Sequence, residues 1–151
     1  MVKKKSRKLN VTLLKKIRDR IAEIPESYDQ SVYVIESPKA PCGTAACLAG
    51  EAIICNARSV EAGIKSLRLT DAKGLVSYRA ARLLGLPRPN WGADDEAYND
   101  AAKLFYSSSD YKVGWPEPFG SAFNRAKSTK QRAKVVVDYL DHIIETGNIA
   151  K

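Results

Sequence analysis

Residues 44–57, TAACLAGEAIICNA, hold a single charged side chain, Glu51, in fourteen positions. A run this poor in charge is tolerated in water only when other elements enclose it, so it predicts a buried central helix over 44–57. Gly50 within it costs about 1 kcal/mol relative to alanine, which predicts a close backbone crossing at that point. All three cysteines of the chain, Cys42, Cys47 and Cys55, fall in or just before this run.

The other segments read as partners for that helix. Asn10 is a good N-cap, and Leu14, Ile17, Ile21 and Ile24 recur at helical spacing, predicting a helix over 11–23 that ends before Pro25. Its polar face carries Lys15, Lys16, Arg18, Asp19 and Arg20. SVYVI at 31–35 is β-branched and aromatic but short, and reads as one extended segment. A short helix is expected over 59–69, then one capped by Thr70 or Asp71 that stops at Gly85. Asp94, Asp95 and Glu96 suit the positive end of a helix over 94–106. WPEPF at 115–119 reads as an extended turn presenting Trp115 and Phe119. Ser128 and Gln131 form a capping box for the last helix, whose stripe of Ala133, Val136, Val137, Leu140, Ile143 and Ile144 ends at Gly147. The expected fold class is therefore mainly α: a single helical domain over 10–151, about five helices around the buried one, behind a flexible basic tail over 1–9.

With 151 residues and 44% hydrophobic content the chain buries a core without staples, and an odd cysteine count argues against a disulfide framework. No stretch resembles a secretory signal or a membrane span, so a cytoplasmic protein with no membrane partner is expected. Lys3, Lys4, Lys5, Arg7 and Lys8 carry five of the eight net positive charges. The remainder is bipolar, with basic residues gathered at 58–88 and 125–134 and acidic ones at 94–117.

CGTAACLAG, the LLGL helix end, LFY followed by WPEPF, and RAKVVVDYLDHIIETG together resemble a family of small bacterial and phage-borne proteins over about residues 9–148. Its most specific element is C-G-T-x-x-C-[IL]-A-G. The resemblance implies one compact helical domain and an origin in a phage or mobile element, and brings no catalytic assignment. Glu51 departs from the pattern, which often has an aromatic residue after that glycine.

Three chemistries merit testing. A cysteine hydrolase or transferase places its thiol at a helix N-terminus, where amides lower its pKa, and the expected helix start puts Cys42 there. His142, the only histidine, and Asp138 four residues earlier complete a nucleophile, base and orienter, although a solvated helix face accounts for both. Gly43 and Thr44 at the same helix start form a candidate anion site. A Cys3His metal site is disfavoured, because Cys47 and Cys55 stand about 12 Å apart along one helix, so no metal and no cofactor are expected. Cys47 and Cys55 read as small core residues.

Nucleic acid is a candidate partner through Lys3, Lys4, Lys5, Arg125, Lys127, Lys130, Arg132 and Lys134. Arg79, Arg82 and Arg88 extend that set, with Tyr78 or Trp91 for stacking. Trp115 and Phe119, if exposed, would form a protein-binding surface, while anchorage onto the core is the plainer role. The function expected is a non-enzymatic binding or regulatory protein with a protein or nucleic-acid partner. The alternatives are a cysteine-dependent enzyme and a nonspecific nucleic-acid binder.

Overall fold

Asn10 starts the first helix as its sequence predicts. Its side-chain oxygen accepts the Leu13 amide at 3.1 Å, while its own Nδ2 donates to the Leu83 carbonyl at 3.0 Å. The structure, a computed structural model, describes residues 8–30, 35–36, 44–91, 98–105 and 113–151. Among them are seven α-helices: α1 (Val11–Glu23), α2 (Leu48–Asn56), α3 (Val60–Ala72), α4 (Val76–Leu84), α5 (Asp100–Phe105), α6 (Phe119–Arg125) and α7 (Thr129–Thr146). The mainly helical expectation holds, with more helices than the five or so anticipated.

Two central helices organise the packing. On one side α7 lies against α1 and α6, and on the other α3 and α4 lie against α2, with α1 and α2 in contact between them. Leu14, Ile17 and Ile21 of α1 and Leu48, Ala52, Ile53 and Ile54 of α2 are buried in one core with Leu67, Leu84, Val136, Leu140 and Ile143. Burying a large apolar side chain contributes about 1.5–3 kcal/mol, so this core is the main source of stability.

The central helix is shorter than expected. Thr44–Ala45 forms β2, which pairs antiparallel with β1 (Ile35–Glu36), and Ala46 bridges to Tyr28. Backbone pairing thus consumes the first residues of the run, and α2 begins only after Cys47. A close approach to α2 is made at Gly63 of α3, where a Cβ would stand 2.6 Å from the Ile54 carbonyl oxygen.

Thr70 and Asp71 close α3 and do not open α4. Gly74, at φ 68°, makes the turn, and the Leu75 amide returns to the Thr70 carbonyl at 3.2 Å. Gly85 (φ 76°) and Gly147 (φ 73°) end α4 and α7 in the left-handed conformation that their positions predict. The helix expected from 94 begins at Asp100, with the Asn99 side chain capping the Ala102 amide at 3.0 Å, while residues 94–97 lie outside the described residues. Helix α6 has no counterpart in the expectations. Gly120 permits it, because a Cβ there would meet the Trp115 carbonyl at 2.5 Å. No helix among the described residues is long and apolar enough to cross a membrane.

Candidate functional site

The cysteine-centred sites depended on a helix starting at residue 44. Cys42 and Gly43 lie outside the described residues, and Thr44 belongs to β2, four residues before α2. Cys47 is the residue before the helix, and it is buried. The first amide of α2, on Leu48, faces Gln30 Oε1 at 3.4 Å, and Leu48, Ala49 and Gly50 of its first turn are buried. Burial pushes the Cys47 thiol up to about 12, against the opposing pull of the Gly50 and Ala49 amides, and burial also pushes Cys55 up to about 12. Both are thiols at neutral pH, Cys47 within the core and Cys55 half-buried against it.

The proposed base and orienter have other partners. His142 Nε2 stands 2.7 Å from the Lys151 carbonyl oxygen, and its ring lies against Phe119 with centroids 5.2 Å apart. Asp138 accepts from Lys134 Nζ at 3.2 Å across one turn of α7. Neither bond aligns Asp138 with the imidazole. No group of three His, Cys, Asp or Glu side chains among the described residues is arranged to hold a metal ion.

Trp115 and Phe119 anchor the loop. Trp115 is 5% exposed, donates Nε1–H to the Leu104 carbonyl at 3.1 Å, and packs against Phe123 and Tyr139 with centroids 5.0 and 4.9 Å away. Phe119 lies 5.2 Å from the Tyr139 ring. Trp115 is thus part of the core and Phe119 is half-buried against it, the plainer of the two roles. Of the basic residues around α7, Lys134 is spent on Asp138 and Arg132 donates to the Ala126 carbonyl at 3.3 Å. Arg125, Lys127 and Lys130 are exposed, while Lys3, Lys4 and Lys5 lie outside the described residues.

Glu51 has a structural role that its isolation in an apolar run signals. It is fully buried, and Arg20 Nε donates to its Oε2 at 2.8 Å, with the Arg20 side chain 9% exposed. Arg20 thus belongs to the α1–α2 interface and not to the polar face expected for it. Burial raises the Glu51 carboxyl to about 7, against the lowering pull of Arg20. Removal of either partner leaves the other buried and unmatched, which holds α1 and α2 in register.

The open chemistry is on α3 and α4. Ser59 caps α3 by accepting the Ala62 amide at 3.2 Å, and Gly63 and Leu67 seat it on α2. Val76, Ala80, Ala81 and Leu84 seat α4. Helical periodicity then sets two facing stripes, each at i, i+3, i+4 and i+7: Ser66, Leu69 and the buried Thr70 of α3 with Lys73 at its C-cap, and Tyr78, Arg79 and Arg82 of α4 with Leu75 at its N-cap. These eight residues line a groove of about 510 Å³. Leu69 is 60% exposed and Leu75 46%.

Arg79 is positioned in this groove without being neutralised. Its Nη1 donates to Ser66 Oγ at 2.7 Å and to Thr70 Oγ1 at 2.8 Å, while the Thr70 hydroxyl donates to the Ser66 carbonyl at 2.8 Å. Hydroxyls orient a guanidinium but leave its charge intact. Among the described residues, Lys73, Arg79, Arg82 and Arg88 have no carboxylate within ion-pair distance. Arg88 lies over the Tyr78 ring, 4.4 Å from its centroid. Arg82 also lines an adjoining concavity of about 450 Å³ with Lys8 and Asn10, so the cationic surface runs on to the residue that the basic segment 3–7 joins.

In the sequence Arg79, Arg82, Arg88 and Tyr78 stand out as charges and a ring, whereas Leu69, Leu75, Ser66, Thr70 and Lys73 carry no such mark of a binding role. The available signal was Leu69, which stands on the polar side of the stripe Val60, Ile64 and Leu67. Comparison with protein-family models, curated sequences and solved structures finds no match to this chain.

Proposed function

We propose that this chain is a non-enzymatic binding or regulatory protein that engages an anionic macromolecular partner through the α3–α4 groove. The observation that carries the reading is Arg79, fixed by two hydroxyls, free of any carboxylate among the described residues, and set beside two exposed leucines. A soluble domain leaves unpaired cations and large aliphatic side chains together on one concave surface at a cost in solubility and stability, and a binding partner accounts for that cost. The exposed cations Arg125, Lys127 and Lys130 lack the apolar half of this combination, since every exposed large hydrophobic among the described residues lies at 60–91. The phage-borne setting implied by the family resemblance is where a natural partner would be sought.

Two labelled polyanions test the reading: poly-L-glutamate and oligo(dT), each titrated by fluorescence anisotropy against the intact chain, R79E/R82E and K3E/K4E/K5E. The reading expects R79E/R82E to weaken at least one probe by about tenfold, each close charge pair being worth on the order of 1 kcal/mol at a partly exposed site. Loss of both probes in K3E/K4E/K5E, with R79E/R82E unchanged, would reduce the protein to a nonspecific basic tail.

A further inference from the structure

Resting on that reading, we infer that the occupant of the α3–α4 groove is a short acidic amphipathic helix of a partner protein, about two turns long, with two apolar residues on the face that carries its carboxylates. Length is the first argument. Each stripe runs from i to i+7, about 10 Å at 1.5 Å per residue, which matches two turns of a docked helix. The apolar contribution is the second. Leu69 and Leu75 bring aliphatic area to the groove, and an apolar side chain of a peptide covers them where a phosphodiester backbone does not.

The cations supply the third argument. Arg79 spends Nη1 on Ser66 and Thr70, which leaves Nε and Nη2 as the paired donors that grip a carboxylate side-on. Lys73 and Arg82, on the same two stripes, give further positive charge for acidic residues on either side of the anchors. Single-stranded nucleic acid fits less well, because it is held by stacking on open aromatic faces. One face of Tyr78 is covered by Arg88, and Trp91 is turned edge-on to Tyr98 and does not line the groove. An anionic bilayer fits less well too, since exposed leucines set in a concavity do not reach a flat surface as the apolar face of an interfacial helix does.

The test is selection of random peptides of roughly 12 residues, displayed as a library on the intact chain, with R79E/R82E as counter-target. The inference expects enriched peptides to be acidic, with apolar residues three or four apart. Their binding should fall about tenfold or more in R79E/R82E and in about 0.5 M salt. L69Q separates the occupants, because it removes an exposed aliphatic anchor without adding charge, so it should weaken peptide binding while sparing oligo(dT). Circular dichroism checks that each variant is folded. Neutral or basic enriched peptides, or peptides that bind R79E/R82E as tightly as wild type, would overturn the inference. So would oligo(dT) or phosphatidylserine vesicles that bind more tightly than the best peptide and lose affinity in R79E/R82E; that outcome keeps the anionic-partner reading. If peptides, oligo(dT) and vesicles all fail to distinguish wild type from R79E/R82E, the reading falls with the inference.

Discussion

The α1–α6–α7 side and the α3–α4 side are built from similar helices and finished in opposite ways. On the first, Tyr139 is fully buried with its hydroxyl donating to the Ile149 carbonyl at 2.6 Å, Trp115 and Phe119 pack around it, and Arg18 of α1 reaches Asp141 of α7 at 2.8 Å. On the second, α3 buries only Gly63, Leu67 and Thr70, two leucines face outward, and Arg79 is aimed by hydroxyls with no counter-charge among the described residues. On the first side the aromatic side chains are enclosed and Arg18 is paired, and the cations left exposed there, Arg125, Lys127 and Lys130, have no exposed large hydrophobic beside them. The proposed binding surface thus falls on the side of the core that is less fully packed.

The sharpest way to break that division is to cut the core side. W115A should cost about 3–5 kcal/mol in a urea melt, the loss of a large buried ring and of its hydrogen bond to Leu104. A cost under about 1 kcal/mol would remove the contrast. R20L comes next, at about 3 kcal/mol, because it strands the buried Glu51 carboxyl.

The Glu51 proton gives that second change a pH signature. The native interior holds the carboxyl at about 7 against an ordinary 4.5, so the native chain keeps a proton that the unfolded chain has released. This group's stabilising contribution is complete below pH 4.5, is lost as pH rises towards 7, and is level above. E51Q should flatten the wild-type decline across that window, measured as the shift of the urea midpoint with pH. An unchanged slope in E51Q would contradict the assignment. The smallest effect belongs to the groove: L69Q, which keeps a good helix former at the site, should change stability by no more than about 0.5 kcal/mol, as for other exposed positions. A larger loss would mean that Leu69 belongs to the core.

Sequence foretold the parts of this division that rest on local periodicity. Helix α1, its Asn10 cap, the Ser128 cap of α7 and the glycine ends at 85 and 147 follow from side-chain spacing and from backbone conformations that few residues adopt. Long-range pairing was out of reach. Nothing in TAACL announces that its first residues will join a strand, so Thr44 stands in β2 four residues before α2, while Cys42 and Gly43 lie outside the described residues. Arg20 looked solvated because its partner, Glu51, is 31 positions away on another helix. The groove was half legible. Its arginines stood out as charge, but their convergence with Leu69 and Leu75 depends on the Gly74 turn that sets α4 beside α3.

The central claim is that binding is confined to the α3–α4 side. Amide chemical-shift mapping of the intact chain with the best selected acidic peptide tests it most directly. The account predicts that the largest shifts cluster at residues 66–82, with the Trp115, Phe119 and Tyr139 neighbourhood unmoved. Largest shifts at 125–142, or shifts spread evenly over both sides, would contradict it.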